Sequence, residues 1–379
     1  MKKFRILRYC AALSFGLTFT LDSAEAINIC SRGKIGNAIA KAVGAKNCQD
    51  VDKKKMASLK TLDLRKLQIA KIRPHSFRGL TALVELSLEN NKLTKISSST
   101  FANLNGLEKL QLESNQIEDI SFGFGNLPNL KVLLLGHNEI SKVNSSTFKG
   151  LTHVTWININ NNQLTHLPKK SLHDLTALEY LYAYNNKISR LSKAHFERQP
   201  QLELLHLNLN RIENITKANF LGLTKLTSLR LDNNKLRKVP DGVFGNLKML
   251  QDLYLDGNKI RNIKSAMFSG PLKLNWLSLG GNGIETIPKY TFAKLKFLKD
   301  LFLENNKISK ISKKYFAGLS ALTNLYIYDN RISTIEDGSF TDLKSLEGLY
   351  LNGNKLKSVS RKNLGILKKV SIPDVKVLP

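Results

Sequence analysis

The sequence predicts an α/β repeat solenoid, in which short parallel strands stack into a curved sheet and a helical segment covers the N-terminal end. The first observation is a pattern, Leu-x-x-Leu-x-Leu-x-x-Asn, that returns from Leu83 onward at a step of 24 residues, and once of 23. The second is an apolar residue series at helical spacing before the repeats. A template that holds its register twelve times is a strong signature of stacked repeats.

Each repeat follows the same physical logic. An imperfect copy starts at Leu59, with Leu67 in place of the asparagine, so thirteen repeats are predicted over residues 59–372. The leucines at positions 1, 4 and 6 are expected to point into one continuous core, because a single repeat cannot bury its apolar face alone. The asparagine should satisfy turn backbone, and a phenylalanine ten residues later should fill the convex side. Residues 121–126 contain the one-residue deletion, where the curvature is expected to be irregular.

Residues 1–26 are predicted to be a secretory signal peptide. Basic residues at the start precede an apolar run, Cys10–Leu21, that is too short to cross a bilayer, and Ala24-Glu25-Ala26 fits a cleavage site. We therefore expect an extracellular protein, either released or associated with a cell surface. From residue 27 onward the chain holds 54 basic and 28 acidic residues, a net charge of +26.

Export also bears on the cysteines. Cys30 and Cys48 are the pair that remains after cleavage, and an even pair in an oxidising compartment is expected to form a disulfide. Ile35, Ile39, Ala42 and Val43 recur at helical spacing between them, so residues 33–44 are predicted to form an amphipathic helix. Residues 27–58 are accordingly assigned to an N-terminal helical cap, stapled by a bond worth roughly 3 kcal/mol. Residues 373–379 are assigned to a C-terminal tail.

The repeat resembles the 24-residue typical class of leucine-rich repeat, which is found in Toll-like receptors, small proteoglycans and lamprey variable lymphocyte receptors. The resemblance implies a curved leucine-rich-repeat horseshoe with the parallel sheet on its concave face. Those proteins usually have four-cysteine caps, which this sequence lacks. The segments 35–44, 48–51 and 57–64 look instead like the helical cap of bacterial internalin-like proteins. In that family the solenoid binds host surface proteins, which is what the resemblance implies here.

The concave face is predicted to carry the binding site. Strand residues alternate between faces, so positions 3, 5 and 7 of each repeat should project from the concave sheet. Ten of these 39 positions are aromatic, against 8% of the whole chain. The first cluster is Trp156, Tyr180, Tyr182 and Tyr184, and the second is Tyr254, Trp276, Phe302, Tyr326, Tyr328 and Tyr350. Exposed Tyr and Trp are typical anchors of protein interfaces, although cross-strand aromatic ladders also stabilise sheets.

Charge separates the concave face from the rest of the surface. The 39 concave positions hold nine acids and three bases, in a strongly basic protein. The candidate ligand-binding set therefore also includes the polar residues His206, Asp232, Asp252, Asp256, Asp300 and Glu304. Basic residues instead follow the repeat asparagine along one lateral edge, at Lys92, Lys187, Arg211, Lys235, Lys259, Lys307, Arg331 and Lys355. This basic edge is either a solvated face or a site for a polyanion such as glycosaminoglycan or lipopolysaccharide.

No motif for catalysis, cofactor binding or metal ligation is recognisable, so the sequence predicts neither an enzyme nor a metalloprotein. Nucleic acid is not expected as a partner of an exported protein. The leading hypothesis is a bacterial recognition protein that binds a host or neighbouring-cell protein through its concave face. The alternatives are a eukaryotic immune or matrix protein, for which the sequons at Asn144 and Asn214 would matter, and a polyanion- or envelope-binding protein. Oligomeric state is left open.

Overall fold

The computed structural model describes residues 29–125, 127–168, 170–192, 195–360, 369–371 and 376–378. For Ser360 and the last two segments it describes the backbone. The predicted signal peptide, residues 1–26, lies outside the described residues. The predicted horseshoe with a parallel sheet and few helices is confirmed by the architecture of the rest.

One parallel sheet organises the molecule. Eighteen strands are numbered here along the described chain, and fourteen of them form this sheet in sequence order. They are β1 Thr61–Asp63, β2 Glu85–Ser87, β3 Lys109–Gln111, β4 Val132–Leu134, β5 Trp156–Asn158, β6 Tyr180–Tyr182, β7 Leu204–His206, β8 Ser228–Arg230, β9 Asp252–Tyr254, β10 Trp276–Ser278, β11 Asp300–Phe302, β13 Asn324–Tyr326, β15 Gly348–Tyr350 and β17 Lys369–Ser371. Two outer pairs join β12 Lys310–Ile311 to β14 Thr334–Ile335, and β16 Ser358–Ser360 to β18 Lys376–Leu378.

The end of the solenoid holds one strand more than the thirteen predicted repeats, within the predicted range of residues 59–372. Thirteen strands of the main sheet match the thirteen predicted repeats, but β17 adds a further strand that pairs with β15. It follows at a shorter step than the others, with Lys369 opposite Gly348. The apolar positions of the repeat recur here as Leu367, Val370 and Ile372, 21 residues after Leu346, Leu349 and Leu351, and Val375 stands where the asparagine would be. The segment assigned to a tail also contains β18. Backbone pairing in the main sheet thus continues into a shorter copy of the repeat that lacks the asparagine.

The deletion is absorbed outside the sheet. Lys109 pairs with Val132, a step of 23 residues, and the flanking strands keep the same alignment of positions. Phe124 is buried at 2% exposure and takes the place of the convex phenylalanine one residue early in the shortened repeat. Phe122 contacts it edge-on at 5.3 Å. The irregularity therefore lies on the convex side and leaves the concave columns in register.

The core is continuous from end to end of the described repeats. Leucines at positions 1, 4 and 6 are almost completely buried; Leu253, Leu277 and Leu301, for example, are each 0% exposed. The convex phenylalanines contact their counterparts in neighbouring repeats, as Phe268 does Phe292 at 5.7 Å between ring centroids. Short 3₁₀ helices, Lys217–Phe220 and Ser265–Phe268, present two of these rings. Stacking thus provides the burial that one repeat cannot provide alone.

The asparagine column binds the turns together. In Asn258 the side-chain oxygen accepts a hydrogen bond from the backbone N–H of Leu236, and its Nδ2 donates to the carbonyls of Leu231 and Leu255. The Leu231 carbonyl also accepts from Asn234, at 3.1 Å, so each such carbonyl bridges two asparagines. The residue before each of the twelve asparagines, and Lys66 before Leu67 in the first repeat, is left-handed, with φ between 49° and 66°. That conformation suits Gly, Asn and Asp.

The N-terminal cap matches the helix and disulfide predictions. A 3₁₀ helix, Ile29–Arg32, leads into α1, Lys34–Ala42, and the bond between Cys30 and Cys48 is confirmed, with their Cα atoms 5.1 Å apart. Helix α2, Lys53–Ala57, is capped by Asp52 and precedes β1. Ile35 and Ile39 are buried as expected, together with Ala40. Ala42, by contrast, is exposed, because it lines an open groove between α1 and β1.

Candidate ligand-binding face

The concave columns hold the predicted site residues together. Fifteen of the sixteen are half-buried or exposed on this face, and Trp156 is the most open of them at 41% exposure. Asp232 is the exception, because it is 1% exposed. The expectation that Asp232 projects toward a ligand is therefore wrong. A carboxylate this deeply buried requires a cationic partner, and the neighbouring strand position supplies one.

That partner is Arg230, which the sequence prediction did not include. Its Nε lies 3.0 Å from Oδ1 of Asp232, and its Nη2 lies 3.2 Å from Oδ2. The guanidinium also lies 4.7 Å from the centroid of the Tyr254 ring. The pair separates the two aromatic clusters along the sheet. The sequence signal for this ion pair is a basic residue two residues before an acidic one, because both side chains then lie on the concave face.

Five rings of the second cluster form one stack across five strands, which we call the concave ladder. The distances between successive ring centroids are 5.9 Å for Tyr254–Trp276, 4.3 Å for Trp276–Phe302, 4.4 Å for Phe302–Tyr326 and 4.5 Å for Tyr326–Tyr350. The last three contacts are stacked, with interplanar angles of 30°, 7° and 5°. The ring faces are thus used within the ladder, and the edges face the open side. Tyr328 is half-buried in a neighbouring column.

Carboxylates flank the concave ladder on both sides. Burial raises the pKa of Asp252 above its ordinary value. Burial, followed by repulsion from Asp232, raises the pKa of Asp256, although the Ser278 hydroxyl donates to it at 2.7 Å. Burial and the neighbouring Asp256 likewise raise the pKa of Glu304, whose Oε2 has no hydrogen-bond partner among the described residues. These groups are partly dehydrated without full compensation, so a cationic partner would stabilise them.

Trp156, Tyr182 and Tyr184 of the first cluster, but not Tyr180, line a pocket of about 410 Å³, which we call the aromatic pocket. Trp156 lies 6.0 Å from Tyr180 and 6.0 Å from Tyr182, and Tyr182 meets His206 edge-on at 5.0 Å. The pocket is lined by Trp156, Asn158, Asn160, Tyr182, Tyr184, His206, Asn208, Leu209 and Arg230. The three asparagines and Leu209 were not predicted. Leu209 was detectable in the sequence, because no other repeat has an apolar residue before its asparagine.

His206 is uncharged at neutral pH. Burial and the nearby Arg230 charge lower the pKa of His206 to about 4. The imidazole therefore serves the pocket as a neutral hydrogen-bonding ring rather than as a cation.

The basic edge is exposed as predicted, with Lys307 half-buried and the other seven residues open. Next to it, Arg237, Lys259, Arg261 and Asn262 line a second pocket of about 410 Å³. In the described residues we find no helix suited to crossing a membrane and no cluster of acids, histidines and cysteines suited to a metal ion.

Comparison with known proteins adds the family. The Leucine rich repeat family profile matches residues 57–117, 128–188, 183–236, 224–284, 272–332 and 320–371, and a two-copy profile matches 105–150. A search of curated proteins finds no match.

Solved structures of leucine-rich-repeat proteins are similar to this chain. An internalin from Listeria monocytogenes is 27% identical over 85% of this chain and 96% of its own, with a TM-score of 0.62. Toll, in the Toll–Spätzle complex of Drosophila, is 25% identical over 80% of this chain but 41% of its own, with a TM-score of 0.69. The functional domain of InlJ from Listeria monocytogenes, at 19% identity and a TM-score of 0.68 over 90% of this chain and 69% of its own, shares the fold.

Leucine-rich-repeat proteins of the internalin and Toll-like types are protein-binding recognition modules, and the fold is a scaffold for interactions that is generally not enzymatic. The family profile covers most of the chain, and the structure resembles that of a Listeria internalin. The chain therefore belongs to the leucine-rich-repeat family and is an internalin-like protein.

Proposed function

We propose that this protein is a bacterial, secreted or surface-associated recognition module that binds a protein of a host or neighbouring cell through its concave face. The single observation that carries the proposal is the concave ladder flanked by partly dehydrated carboxylates. Its rings are held by their neighbours before any partner arrives, so little side-chain entropy is lost on binding. The similarity to an internalin supports the bacterial and extracellular parts of the proposal.

The charges indicate what kind of protein is bound. Asp252, Asp256, Asp300 and Glu304 lie beside the concave ladder, while most of the basic residues lie outside the concave columns. A neutral or basic surface would be attracted to this face and steered onto it. An acidic surface would be repelled there. The partner is accordingly a protein with a neutral or basic patch that fits a curved face.

The test is a retention experiment with the chain from residue 27 onward as bait for host-cell surface proteins. A second bait carries Trp276→Ala and Phe302→Ala in the concave ladder. A third carries Phe297→Ala, which removes a side chain that is 60% exposed outside the concave columns. A protein retained by the native and Phe297→Ala baits but lost from the ladder bait supports the proposal. Equal retention by all three baits would place binding elsewhere.

A second candidate function is polyanion binding at the basic edge. The observation that favours it is the pocket between Arg237, Lys259 and Arg261, where three cations and the Asn262 amide surround one open space. One sulfate or phosphate group on a polymer would form ion pairs with these cations simultaneously. The regular spacing of the basic edge would then contact further groups along the same polymer.

A further inference from the structure

The aromatic pocket differs chemically from the concave ladder although both lie on the same sheet. It has amides, an uncharged imidazole and aromatic rings, but no carboxylate among its lining residues. Its one cationic side chain, Arg230, is neutralised by the buried Asp232. The ladder, by contrast, is flanked by carboxylates. A ligand of the pocket therefore gains nothing from carrying a charge.

Its polar groups are incompletely satisfied. Asn160 and Asn208 are 4% and 7% exposed, and neither side-chain oxygen has a hydrogen-bond partner among the residues that the structure describes. An acceptor buried in this way is unfavourable unless a donor reaches it. Both residues line the pocket. A hydroxyl-bearing ligand would supply the donors, whereas an aliphatic side chain of a protein partner would not.

Its apolar groups are exposed at a conformational cost. Trp156 is 41% exposed, and its contacts with Tyr180 and Tyr182 are edge-on or tilted, so its ring face is not stacked on theirs. Leu209 is 46% exposed and has φ of 53°, in the left-handed region that leucine rarely adopts. The corresponding residues of the other repeats include six that are Asn or Asp and three that are Gly. An exposed apolar side chain kept in strained backbone indicates a functional position.

These features together match a pyranose ring. Its C–H face packs on aromatic and aliphatic side chains, and its hydroxyl groups exchange hydrogen bonds with amides and a neutral imidazole. The volume of about 410 Å³ falls within the range of small-ligand sites. We propose that the aromatic pocket is a binding site for an uncharged saccharide, separate from the protein-binding ladder.

A glycan microarray probed with the full mature chain tests the proposal, using neutral oligosaccharides beside their sialylated and sulfated counterparts. Retained neutral glycans are then titrated by saturation-transfer NMR. Trp156→Ala and Leu209→Asn should each weaken binding by at least about ten-fold. The matched control is Trp276→Ala, which removes the other tryptophan of the same face and should leave saccharide binding unchanged.

Leu209→Asn also separates a site from a structural role. Asparagine suits the left-handed backbone, so this variant should melt no lower than the native protein while binding the saccharide more weakly. Retention of charged glycans alone, or of no glycan, would overturn the proposal. So would equal loss of binding in Trp156→Ala and Trp276→Ala. Protein retention by the concave ladder is measured separately, and its failure would leave the saccharide result standing.

Discussion

Trp276 stacks on Phe302 with their centroids 4.3 Å apart, although the two residues occupy different columns of the concave sheet. Trp276 is paired in register with Asp300, and Phe302 with Ser278. The small side chain of Ser278 interrupts the aromatic column between Tyr254 and Phe302, and the indole of Trp276 closes the interruption from the neighbouring column. The concave ladder is continuous because Trp276 makes diagonal contacts with both Tyr254 and Phe302.

Truncating aromatic residues of the second concave cluster, three in the ladder and Tyr328 beside it, should weaken partner binding more than it weakens the fold. Tyr254→Ala, Trp276→Ala, Phe302→Ala and Tyr328→Ala are each expected to cost about 2 kcal/mol or more of binding free energy at a hot spot. Loss of a stacked aromatic pair should cost about 0.5–1.5 kcal/mol of stability. Titration calorimetry with the captured partner measures the first effect, and thermal melting the second.

The control for that series is Leu277→Ala, which truncates a leucine that is 0% exposed. It should cost about 2–5 kcal/mol of stability, because it leaves a cavity in the core. If a folded protein keeps its affinity through all four concave changes, the binding face has been wrongly assigned.

Neutral His206 should make the fold sensitive to mild acid. The pKa of this group is about 4 in the folded protein, against 6.5 for an ordinary histidine. Between these two values the unfolded chain binds a proton that the folded protein does not, so this residue lowers stability as the pH falls from 6.5 toward 4. His206→Gln should remove that contribution. Urea unfolding at pH 7 and pH 4.5 measures it.

The expected result is a smaller loss of stability between the two pH values in His206→Gln than in the native protein. His153→Gln serves as the control, because His153 is exposed outside the concave columns. An identical pH dependence in native protein and His206→Gln would contradict the prediction.

Asn258 should be essential to the turn that follows it. Its side-chain oxygen is the acceptor for the N–H of Leu236, at 2.9 Å in the buried interior. In Asn258→Ala that donor loses its partner, at a cost of about 1–3 kcal/mol, beyond the loss of the hydrogen bonds that Nδ2 donates to the carbonyls of Leu231, Leu255 and Asp256. Urea unfolding followed by circular dichroism measures the change. Lys259→Ala, at the exposed neighbour, should stay within about 0.5 kcal/mol of the native protein.

The basic edge should dominate retention on heparin. Changing Lys235, Lys259, Lys307 and Lys355 to Gln should lower the salt concentration needed for elution, because like charges at regular spacing act together on a polyanion. The matched control changes Lys149, Lys248, Lys294 and Lys344 to Gln, which alters net charge equally at exposed positions off the edge. Equal shifts in the two variants would show that net charge alone is responsible and that the edge is only a solvated surface.

The columns of the solenoid could be predicted from the sequence because the period itself defines them. A 24-residue step stacks Leu253, Leu277 and Leu301 on one another regardless of loop conformation. The alternation of side chains along each strand then gives the concave positions. The cap followed from two cysteines around Ile35 and Ile39. The last strand, β17, departs from that period, because its apolar positions Leu367, Val370 and Ile372 follow the preceding repeat after 21 residues and Val375 replaces the asparagine.

Within the site, the sequence by itself determined which residues share the concave face, and only the tertiary structure decided what each one does there. Asp232 and Asp256 occupy equivalent positions in successive repeats, yet Asp232 is buried against Arg230 while Asp256 is half-buried beside Ser278. Leu209 becomes informative when its left-handed backbone and its place beside Asn208 in the aromatic pocket are known. The physical reason is that a repeat fixes the position of each Cα, whereas burial, pairing and pKa depend on side chains from neighbouring repeats, whose identities the period does not constrain.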